Sequence, residues 1–481
     1  MKGILKIITS SVVCLALLIP VGGALGGASP PPNPSGEGIT GVWQGTIKVN
    51  EQTELRVVFK ISRKTDGTLT ATMDSPDQGA TNIPVEEVGL DDGNLRMEVR
   101  SVMGVFEGKI GPATIEGVWK QSGMTLPLVL KHLEEPPKVS RPQEPKKPYP
   151  YDEEEVVYKN ERAGVKLAGT LTLPRGKGPF PAVLLITGSG AEDRNETVFG
   201  HHPFLVLADY LTRRGIAVLR VDDRGVGGST GSVSQSTSED FAGDVLAGVR
   251  FLKGRKGINP KQIGLIGHSE GGIIAPLAAV QSPDVAYIVL MAGPGISGEK
   301  ILYLQNSLIG KAQGISDEEI AKNHRLQERI FAVVKGEKDS TIAKNKLRKL
   351  LENELSKEGE KGADNEAYIK SETRRVLSPW FRYFLTYDPK PTLMKVKCPV
   401  LAINGEKDLQ VPPQENLRAI GEALKAGGNK DYTVKELPGL NHLFQRCKTG
   451  SPTEYAKIEE TISPTALKTI AQWILKQTQG R

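Results

Sequence analysis

The chain has 481 residues, 38% of them hydrophobic and 25% charged, which excludes a disordered chain and a protein with many membrane spans. Its length predicts two or three domains with enough apolar material for buried cores. The net charge of +6, from 62 Lys and Arg against 56 Asp and Glu, is spread along the chain and indicates no nucleic-acid partner.

The N-terminus has the pattern of a secretory signal peptide over residues 1–28. Two lysines precede an apolar run over 7–19, and small residues follow over 22–28. The run is only slightly short of a membrane span, so an uncleaved anchor is the alternative, although Pro20 disfavours a continuous helix. We predict a bacterial protein that is secreted or held in the periplasm or cell envelope. It would meet the membrane only during export or through such an anchor.

Pro-rich stretches divide the rest of the chain. We predict a tether over 29–38 and a linker over 134–152, because such stretches lack apolar residues and backbone donors and act as extended spacers. Between them, residues 39–133 carry short apolar runs separated by Asp-Gly turn pairs at 66–67 and 92–93. This pattern predicts a small all-β domain.

The all-β domain carries the same three-residue motif near both ends. Gly-Val-Trp occurs at 41–43 and again at 117–119, which predicts a barrel or sandwich whose first and last strands meet. We interpret the two tryptophans as core residues. The alternative, a ligand-binding barrel, has no polar cluster in the sequence to support it.

The chain from 153 to 481 has the pattern of an α/β domain. Apolar runs at 182–186 and 216–221 alternate with helical stretches, and near-continuous apolar strands indicate burial on both faces. The helix between the two runs is apolar on one face and ends before Gly215. We therefore predict a mainly parallel sheet covered by helices.

The clearest catalytic motif lies on a predicted strand, turn and helix. The strand at 263–266 runs into the sequence GHSEG at 267–271, and a helix of small residues follows. In this context the G-x-S-x-G pattern presents a serine nucleophile, Ser269, and side chains two positions to either side of it would collide with backbone. The helix N-terminus would favour the anion that develops there. An ordinary structural turn is the weaker alternative.

Ser269 needs a base, and the base needs an acid to orient it. Among the six histidines, only His442 lies late in the chain on a turn-like segment, as the order serine, acid, histidine of this motif requires. A surface-loop role for His442 is the alternative. The strand at 399–404 lies between nucleophile and base and is followed by Asp408, the candidate acid, with Glu406 as the fallback.

Backbone N–H groups are expected to stabilise the oxyanion. One donor should be the N–H of Glu270, the residue after the nucleophile. The other should come from the glycine-rich loop at 187–190, where we assign Ser189, with Gly190 as the alternative. An ordinary β–α loop is the competing interpretation. No metal or organic cofactor is expected.

From about Tyr158 to the C-terminus, the chain resembles the α/β-hydrolase superfamily, near its serine-aminopeptidase-like and dienelactone-hydrolase-like branches. The resemblance rests on GHSEG, on the triad positions and on the segment 220–229, which is similar to the superfamily's D-x-R-G-x-G-x-S turn. Because that turn is structural, Asp222 and Asp223 receive no catalytic role. Thr187 stands where many relatives have histidine. The whole chain is similar to secreted bacterial esterases that carry a β domain before an α/β-hydrolase fold.

The resemblance also implies a helical cap over the active site at about 296–392. This stretch is rich in Lys and Glu and has helical spacing, with four leucines sharing one face at 347, 350, 351 and 355. An insertion at this place in the superfamily governs access to the site. The aromatic residues over 380–384 could line the pocket, and core packing is the stronger interpretation. Cys398 and Cys447 flank the acid and the base, and the sequence is compatible either with a disulfide between them or with two unpaired thiols.

These features predict a serine carboxylesterase that cleaves small-molecule esters with short to medium acyl groups through an acyl-enzyme. A serine peptidase or acyl-transfer enzyme with the same triad is the first alternative, and activity on aminoacyl amides would separate it. The second alternative is a binding protein with an inert hydrolase domain. Labelling of the serine by a fluorophosphonate would distinguish that case.

Overall fold

The computed structural model describes residues 39–48, 54–78, 80–121, 124–135, 140–357 and 363–479. The signal peptide and tether predicted over 1–28 and 29–38 lie outside the described residues. The described residues form two compact units, and the larger one begins at Arg141. The first unit is all-β, and the second is an α/β unit.

The described part of the β unit is a single antiparallel sheet of nine strands. From one edge to the other their order is β4-β3-β2-β1-β9-β8-β7-β6-β5, so the first and last strands pair, as predicted. The edge strands β4 and β5 follow each other in the chain, and β3 also contacts β5, so the sheet is nearly closed. The strands are β1 Gly41–Lys48, β2 Glu54–Arg63, β3 Leu69–Ser75, β4 Ala80–Val85, β5 Glu87–Asp91, β6 Asn94–Val99, β7 Gly104–Ile110, β8 Thr114–Gln121 and β9 Met124–Leu133.

The interior of this sheet is a packed apolar core. Trp43 is 3% exposed and Trp119 is 2% exposed, which confirms their interpretation as core residues. The Trp43 indole N–H donates to the carbonyl of Ile39 at 2.8 Å, so its one polar atom is satisfied. Asp92 and Gly93 both have positive φ, 44° and 75°, as the two central residues of a type I′ hairpin turn require.

The α/β unit is built on a sheet of eight described strands. Their order is β10-β11-β13-β12-β14-β15-β16-β17, with β10 and β11 antiparallel and the run from β13 to β17 parallel. The carboxyl ends of the parallel strands meet at one edge of the sheet, where ligands bind in such folds. The strands are β10 Asp152–Asn160, β11 Val165–Leu173, β12 Phe180–Ile186, β13 Ala217–Val221, β14 Ile258–His268, β15 Tyr287–Met291, β16 Val400–Gly405 and β17 Tyr432–Leu437.

Helices cover both faces of this sheet, which confirms the predicted architecture. Apolar residues of α1 and α11 pack on one face, and those of α2, α3, α10 and the helices before β16 pack on the other. No described helix is long and apolar enough to cross a membrane. The helices are α1 Pro203–Thr212, α2 Ser238–Lys253, α3 Gly271–Ala279, α4 Gly298–Ala312, α5 Asp317–Gly336, α6 Ser340–Lys357, α7 Ala363–Val376, α8 Pro379–Thr386, α9 Lys390–Leu393, α10 Pro413–Ala426 and α11 Pro464–Gln479.

Helices α4 to α9 form a helical insertion between β15 and β16. It runs from Gly298 to Leu393, close to the predicted bounds of 296–392. The four leucines that the spacing placed on one face of α6 are all buried, at 0–8% exposure. The sulfurs of Cys398 and Cys447, both described residues, are not joined to each other by a disulfide.

Residues 141–151, which the sequence placed in the spacer, pack on the α/β unit instead, and we call them the strap. The Arg141 guanidinium donates to the carbonyls of Phe199, Gly200, Ala456 and Ile458 at 2.8–3.1 Å. The Gln143 side chain pairs with the backbone of residues 461 and 462, and the Tyr151 hydroxyl donates to Asp209 at 2.9 Å. The second half of the Pro-rich stretch is therefore a fixed part of the α/β unit.

We expect Arg141→Ala to lower the free energy of unfolding of the full-length protein by roughly 2 kcal/mol or more, since it removes charged hydrogen bonds to partly buried carbonyls. The measurement is urea unfolding followed by circular dichroism. Lys146→Ala is the control, because Lys146 is exposed on the same strap and forms no hydrogen bond or ion pair with the described residues. Equal stability of the two variants would contradict a structural role for Arg141.

Candidate active site

Ser269 lies in the sharp turn between β14 and α3. Its φ is 51°, in the left-handed region that residues other than glycine rarely adopt, and its N–H donates to the carbonyl of Met291 at 2.8 Å. The neighbouring strand thus holds the backbone in this strained conformation. Strained positions of this kind cluster at functional sites, and here the strain presents the serine side chain at the edge of the sheet.

The glycines two positions to either side of Ser269 are required by their surroundings. A Cβ atom at Gly267 would lie 2.0 Å from the carbonyl oxygen of Gly271, and one at Gly271 would lie 2.4 Å from the carbonyl oxygen of Ile186. Both distances are far inside van der Waals contact with backbone that cannot move away. This collision is the one that the sequence motif predicted.

The candidate acid and base are in direct contact. Asp408 follows β16, and its Oδ2 lies 2.8 Å from Nδ1 of His442, with the two residues 2% and 4% exposed. Oδ1 of Asp408 accepts the backbone N–H groups of Gln410 and Val411 at 2.8 and 2.9 Å. The fallback acid, Glu406, lies elsewhere: it is exposed and accepts the N–H of Gly439 at 2.7 Å.

His442 lies beside the turn that carries Ser269. Its ring centroid is 4.9 Å from that of His268, and its carbonyl oxygen is 3.0 Å from Nε2 of His268. Within the described part of the chain, however, the Ser269 hydroxyl and the His442 imidazole form no hydrogen bond with each other. Catalytic hydrogen bonds are often long without substrate and shorten in the reacting complex, so this geometry is compatible with a serine–histidine pair.

The loop that should supply the second oxyanion donor lies against the nucleophile. A Cβ at Gly188 would be 3.4 Å from the Cβ of Ser269, so the two backbones are close neighbours. The N–H of Gly188 is already used by the Glu196 carboxylate at 2.8 Å. The N–H groups of Ser189 and Glu270 have no hydrogen-bond acceptor among the described residues, which leaves both able to bind an oxyanion. Gly190, the alternative donor, has a φ of 128°.

The two aspartates of the 220–229 turn are used by the structure around them. Asp222 pairs with the Arg194 guanidinium at 2.7 Å, and Asp223 accepts the Thr187 hydroxyl at 2.8 Å. Burial raises the pKa of Asp223 to about 8. Neither carboxylate is hydrogen-bonded to His442 or Ser269, in line with their exclusion from the triad.

A buried Glu–His pair lies behind the nucleophile and was not predicted from the sequence. Oε1 of Glu196 lies 2.8 Å from Nδ1 of His268, whose other ring nitrogen faces the carbonyl of His442. Because both ring nitrogens face acceptors, the arrangement favours the doubly protonated imidazolium. The pair therefore links the nucleophile turn, the oxyanion loop through Gly188, and the His442 loop. No sequence pattern links residues 72 positions apart, so the sequence could not predict this Glu–His pair.

This pair predicts a difference in pH dependence between the wild type and Glu196→Gln. Burial lowers the pKa of His268, but the Glu196 carboxylate outweighs it and holds the pKa above the ordinary 6.5. A raised folded-state pKa contributes stability that is complete below pH 6.5 and is lost as the pH rises through the folded value. We therefore expect the wild type to exceed Glu196→Gln most in free energy of unfolding near pH 6, with the gap narrowing towards pH 9.

Urea unfolding of both proteins at several pH values measures this gap. Asp408 faces His268 in both proteins. The Glu196 charge also raises the pKa of Asp223, so its removal makes Asp223 easier to ionise, and this too narrows the gap as the pH rises. Parallel curves from pH 6 to 9 would mean that the Glu196–His268 ion pair does not contribute.

Comparisons with known proteins give a family match and a relative named as an esterase. The sequence model of the family described as X-Pro dipeptidyl-peptidase (S15 family) matches residues 163–431, a span that includes Ser269 and Asp408 and ends before His442. Esterase EstD of Thermotoga maritima is 26% identical over 319 residues, which cover 64% of this chain and 66%, just under two thirds, of EstD.

Two further proteins match this chain at lower sequence identity. An uncharacterized 31.7 kDa protein of Escherichia coli is 23% identical over 267 residues, covering 55% of this chain and 85% of that protein. The crystal structure of the α/β hydrolase GrgF from Penicillium sp. sh18 aligns with a TM-score of 0.44 at 16% identity, over 69% of this chain and 99% of GrgF.

Proposed function

This chain belongs to the X-Pro dipeptidyl-peptidase (S15) family, and from that premise we propose that it is a serine carboxylesterase acting on esters with short to medium acyl groups. The observation that carries the proposal is the 2.8 Å contact between Asp408 and His442, at a loop that lies against the nucleophile turn. The likeness to a protein named as an esterase, EstD, supports the ester substrate.

In the proposed reaction, the Ser269 hydroxyl oxygen attacks the acyl carbon while Nε2 of His442 takes its proton. Asp408 accepts the Nδ1–H of His442, which fixes the tautomer and stabilises the imidazolium. His442 then returns the proton to the departing alcohol oxygen, leaving an acyl group on Ser269. A water molecule repeats the sequence, with His442 as its base, and releases the carboxylic acid and the free serine.

The tetrahedral intermediates would carry their negative charge next to the backbone N–H groups of Ser189 and Glu270. Donors fixed before the reaction stabilise such a charge without reorganisation, and each is typically worth about 10²–10³ in rate. Because Glu270 lies at the start of α3, the positive end of the helix dipole also stabilises this negative charge.

A serine peptidase is the second candidate, and the description of the matched family favours it. The test is a panel of p-nitrophenyl esters of two to ten acyl carbons beside aminoacyl and X-Pro p-nitroanilides, assayed with full-length protein. Hydrolysis of the esters with a kcat/KM at least about tenfold above that for the anilides is expected for the esterase. The reverse order would replace the esterase proposal with the peptidase.

The helical insertion is proposed to act as the cap that controls access to Ser269. Support comes from α8, where the Trp380 indole N–H donates to the side chain of Glu270, the residue after the nucleophile, at 2.8 Å.

Export through the signal sequence at residues 1–28 is likewise a proposal that rests on the sequence pattern. N-terminal sequencing of the protein recovered from the cell envelope or medium tests it, since cleavage near residues 26–28 is expected and an intact Met1 would contradict cleavage.

A further inference from the structure

The Glu270 carboxylate is a buried junction between three parts of the α/β unit. One oxygen accepts the Ser238 hydroxyl of α2 at 2.6 Å, and the other accepts the Trp380 indole N–H of α8 at 2.8 Å. The Ser189 side chain, from the loop after β12, lies close enough to this carboxylate to lower its pKa. Glu270 itself is 2% exposed and directly follows Ser269.

The surroundings of this carboxylate make its two donors, Ser238 and Trp380, important. No Lys or Arg forms an ion pair with Glu270 among the described residues, so only neutral groups stabilise a charge on this buried side chain. Burial raises the pKa of Glu270, and the hydrogen bonds from Ser238 and Trp380, together with the nearby Ser189 side chain, oppose that rise. Loss of any one donor leaves the charge incompletely satisfied, which favours movement of the groups around it.

The same carboxylate joins the two residues whose backbone N–H groups would form the oxyanion hole. One N–H belongs to Glu270, and the other belongs to Ser189, whose side chain is near enough to that of Glu270 to lower its pKa. The relative position of the two N–H groups therefore depends on the network around this side chain. Trp380 brings the helical insertion into that network from 110 residues away in sequence.

We propose that the side chain of Glu270 is a positioning residue that couples the position of helix α8 to the alignment of the oxyanion hole. The proposal rests on the serine hydrolase function proposed above. When α8 is seated and Trp380 donates to Glu270, the N–H groups of Ser189 and Glu270 are aligned; when α8 moves away, the network loses a donor and the alignment relaxes. Productive catalysis then requires a seated insertion as well as a bound substrate.

Trp380 is suited to report the position of α8. Its ring stacks on that of Phe384, one turn along the same helix, with centroids 5.3 Å apart and planes within 10°. Phe384 is buried in the core cluster shared with α2 and α3. The indole is thus fixed to the body of α8, and a movement of the helix would carry the N–H away from Glu270.

The first test is Trp380→Phe, which keeps an aromatic ring beside Phe384 and removes the N–H donor together with the second ring of the indole. We expect kcat for p-nitrophenyl butyrate to fall about tenfold or more while KM changes less than about threefold, because the lost alignment matters in the transition state. The matched control is Tyr387→Phe, which removes a hydroxyl bonded to Thr392 at 2.9 Å at the end of α8 and does not contact Glu270. Its kcat should stay within about twofold of the wild type.

Glu270→Gln tests the junction from its other end, and serves on its own if Trp380→Phe does not fold. Ser238 and Trp380 donate to different oxygens of Glu270, and a glutamine has only one oxygen to accept them. We expect kcat to fall by a similar factor in Glu270→Gln, and by more in Glu270→Ala. The double variant Trp380→Phe, Glu270→Gln should be no slower than the slower single variant, since both break one interaction. A kcat at the wild-type level in both single variants, or losses that multiply in the double variant, would overturn the proposal.

The failure of this proposal is distinguishable from the failure of the proposed function. If the wild type hydrolyses none of the esters or anilides and a fluorophosphonate does not label it, the serine hydrolase function is wrong and the coupling falls with it. If the wild type is active and both variants match it in kcat, only the coupling is wrong.

Discussion

Replacement of Ser269 by alanine is expected to reduce kcat for p-nitrophenyl esters by a factor on the order of 10⁶, to the level of the remaining binding and oxyanion contacts. The reason is that no acyl-enzyme can form without the hydroxyl. Alanine keeps the Cβ atom, so the backbone strain at a φ of 51° is the same in both proteins. The fold should therefore survive, with a melting temperature close to that of the wild type.

The measurement is steady-state hydrolysis together with labelling by a fluorophosphonate. The wild type should be labelled once per chain and Ser269→Ala not at all. Ser282→Ala is a suitable control, since Ser282 lies in the loop after α3, where its hydroxyl accepts the N–H of Asp284 at 3.2 Å. Retained ester hydrolysis, or labelling of a folded Ser269→Ala protein, would show that the nucleophile is another residue.

Replacement of Asp408 by asparagine is expected to lower kcat by about 10⁴-fold with little change in KM. The structure gives a specific reason. The N–H groups of Gln410 and Val411 both donate to Oδ1, so the amide oxygen of an asparagine must take that place. The amide NH₂ then replaces Oδ2 and points at Nδ1 of His442, which stabilises the tautomer that cannot take a proton through Nε2.

Glu406→Gln is the matched control for Asp408→Asn. Glu406 is the other acid after β16, and its contact is the N–H of Gly439, which a glutamine oxygen can still accept. We expect its kcat to lie within about threefold of the wild type. A large loss of kcat in Glu406→Gln together with an active Asp408→Asn would show that Glu406, and not Asp408, is the acid of the triad.

The parts of the site that follow from local sequence were predictable. The turn at Ser269 could be predicted because a strand, two glycines at fixed offsets and a helix are contiguous in the chain. The position of Asp408 followed from its place after a buried strand, since parallel strands end at one edge of the sheet. In both cases the physical cause acts over a few residues or through a general property of the fold.

Other parts could not be predicted because their causes act between distant segments. Glu196 and His268 pair because the loop of Glu196 adopts a conformation with a positive φ at that residue. A glutamate does not predict a positive φ. The Pro-rich composition of the strap predicted an extended spacer, whereas residues 141–144 form a turn in which the Glu144 N–H donates to the Arg141 carbonyl at 3.1 Å. Composition also could not predict that the Arg141 guanidinium would donate to four carbonyl groups. Every residue has a carbonyl, and composition does not show which carbonyls lack another donor in the folded protein.

The strap also sets where the chain can be cut to obtain the hydrolase by itself. A gene fragment that begins at β10 would look sensible from the sheet alone, yet it would discard Arg141 and Gln143. Arg141 binds two carbonyls near residue 200, and both side chains bind the backbone of the segment 456–462. That segment follows the loop of His442 and is linked to it through His201 and Gln445. An expression clone for crystallisation or directed evolution of the catalytic half should therefore start a few residues upstream of Arg141.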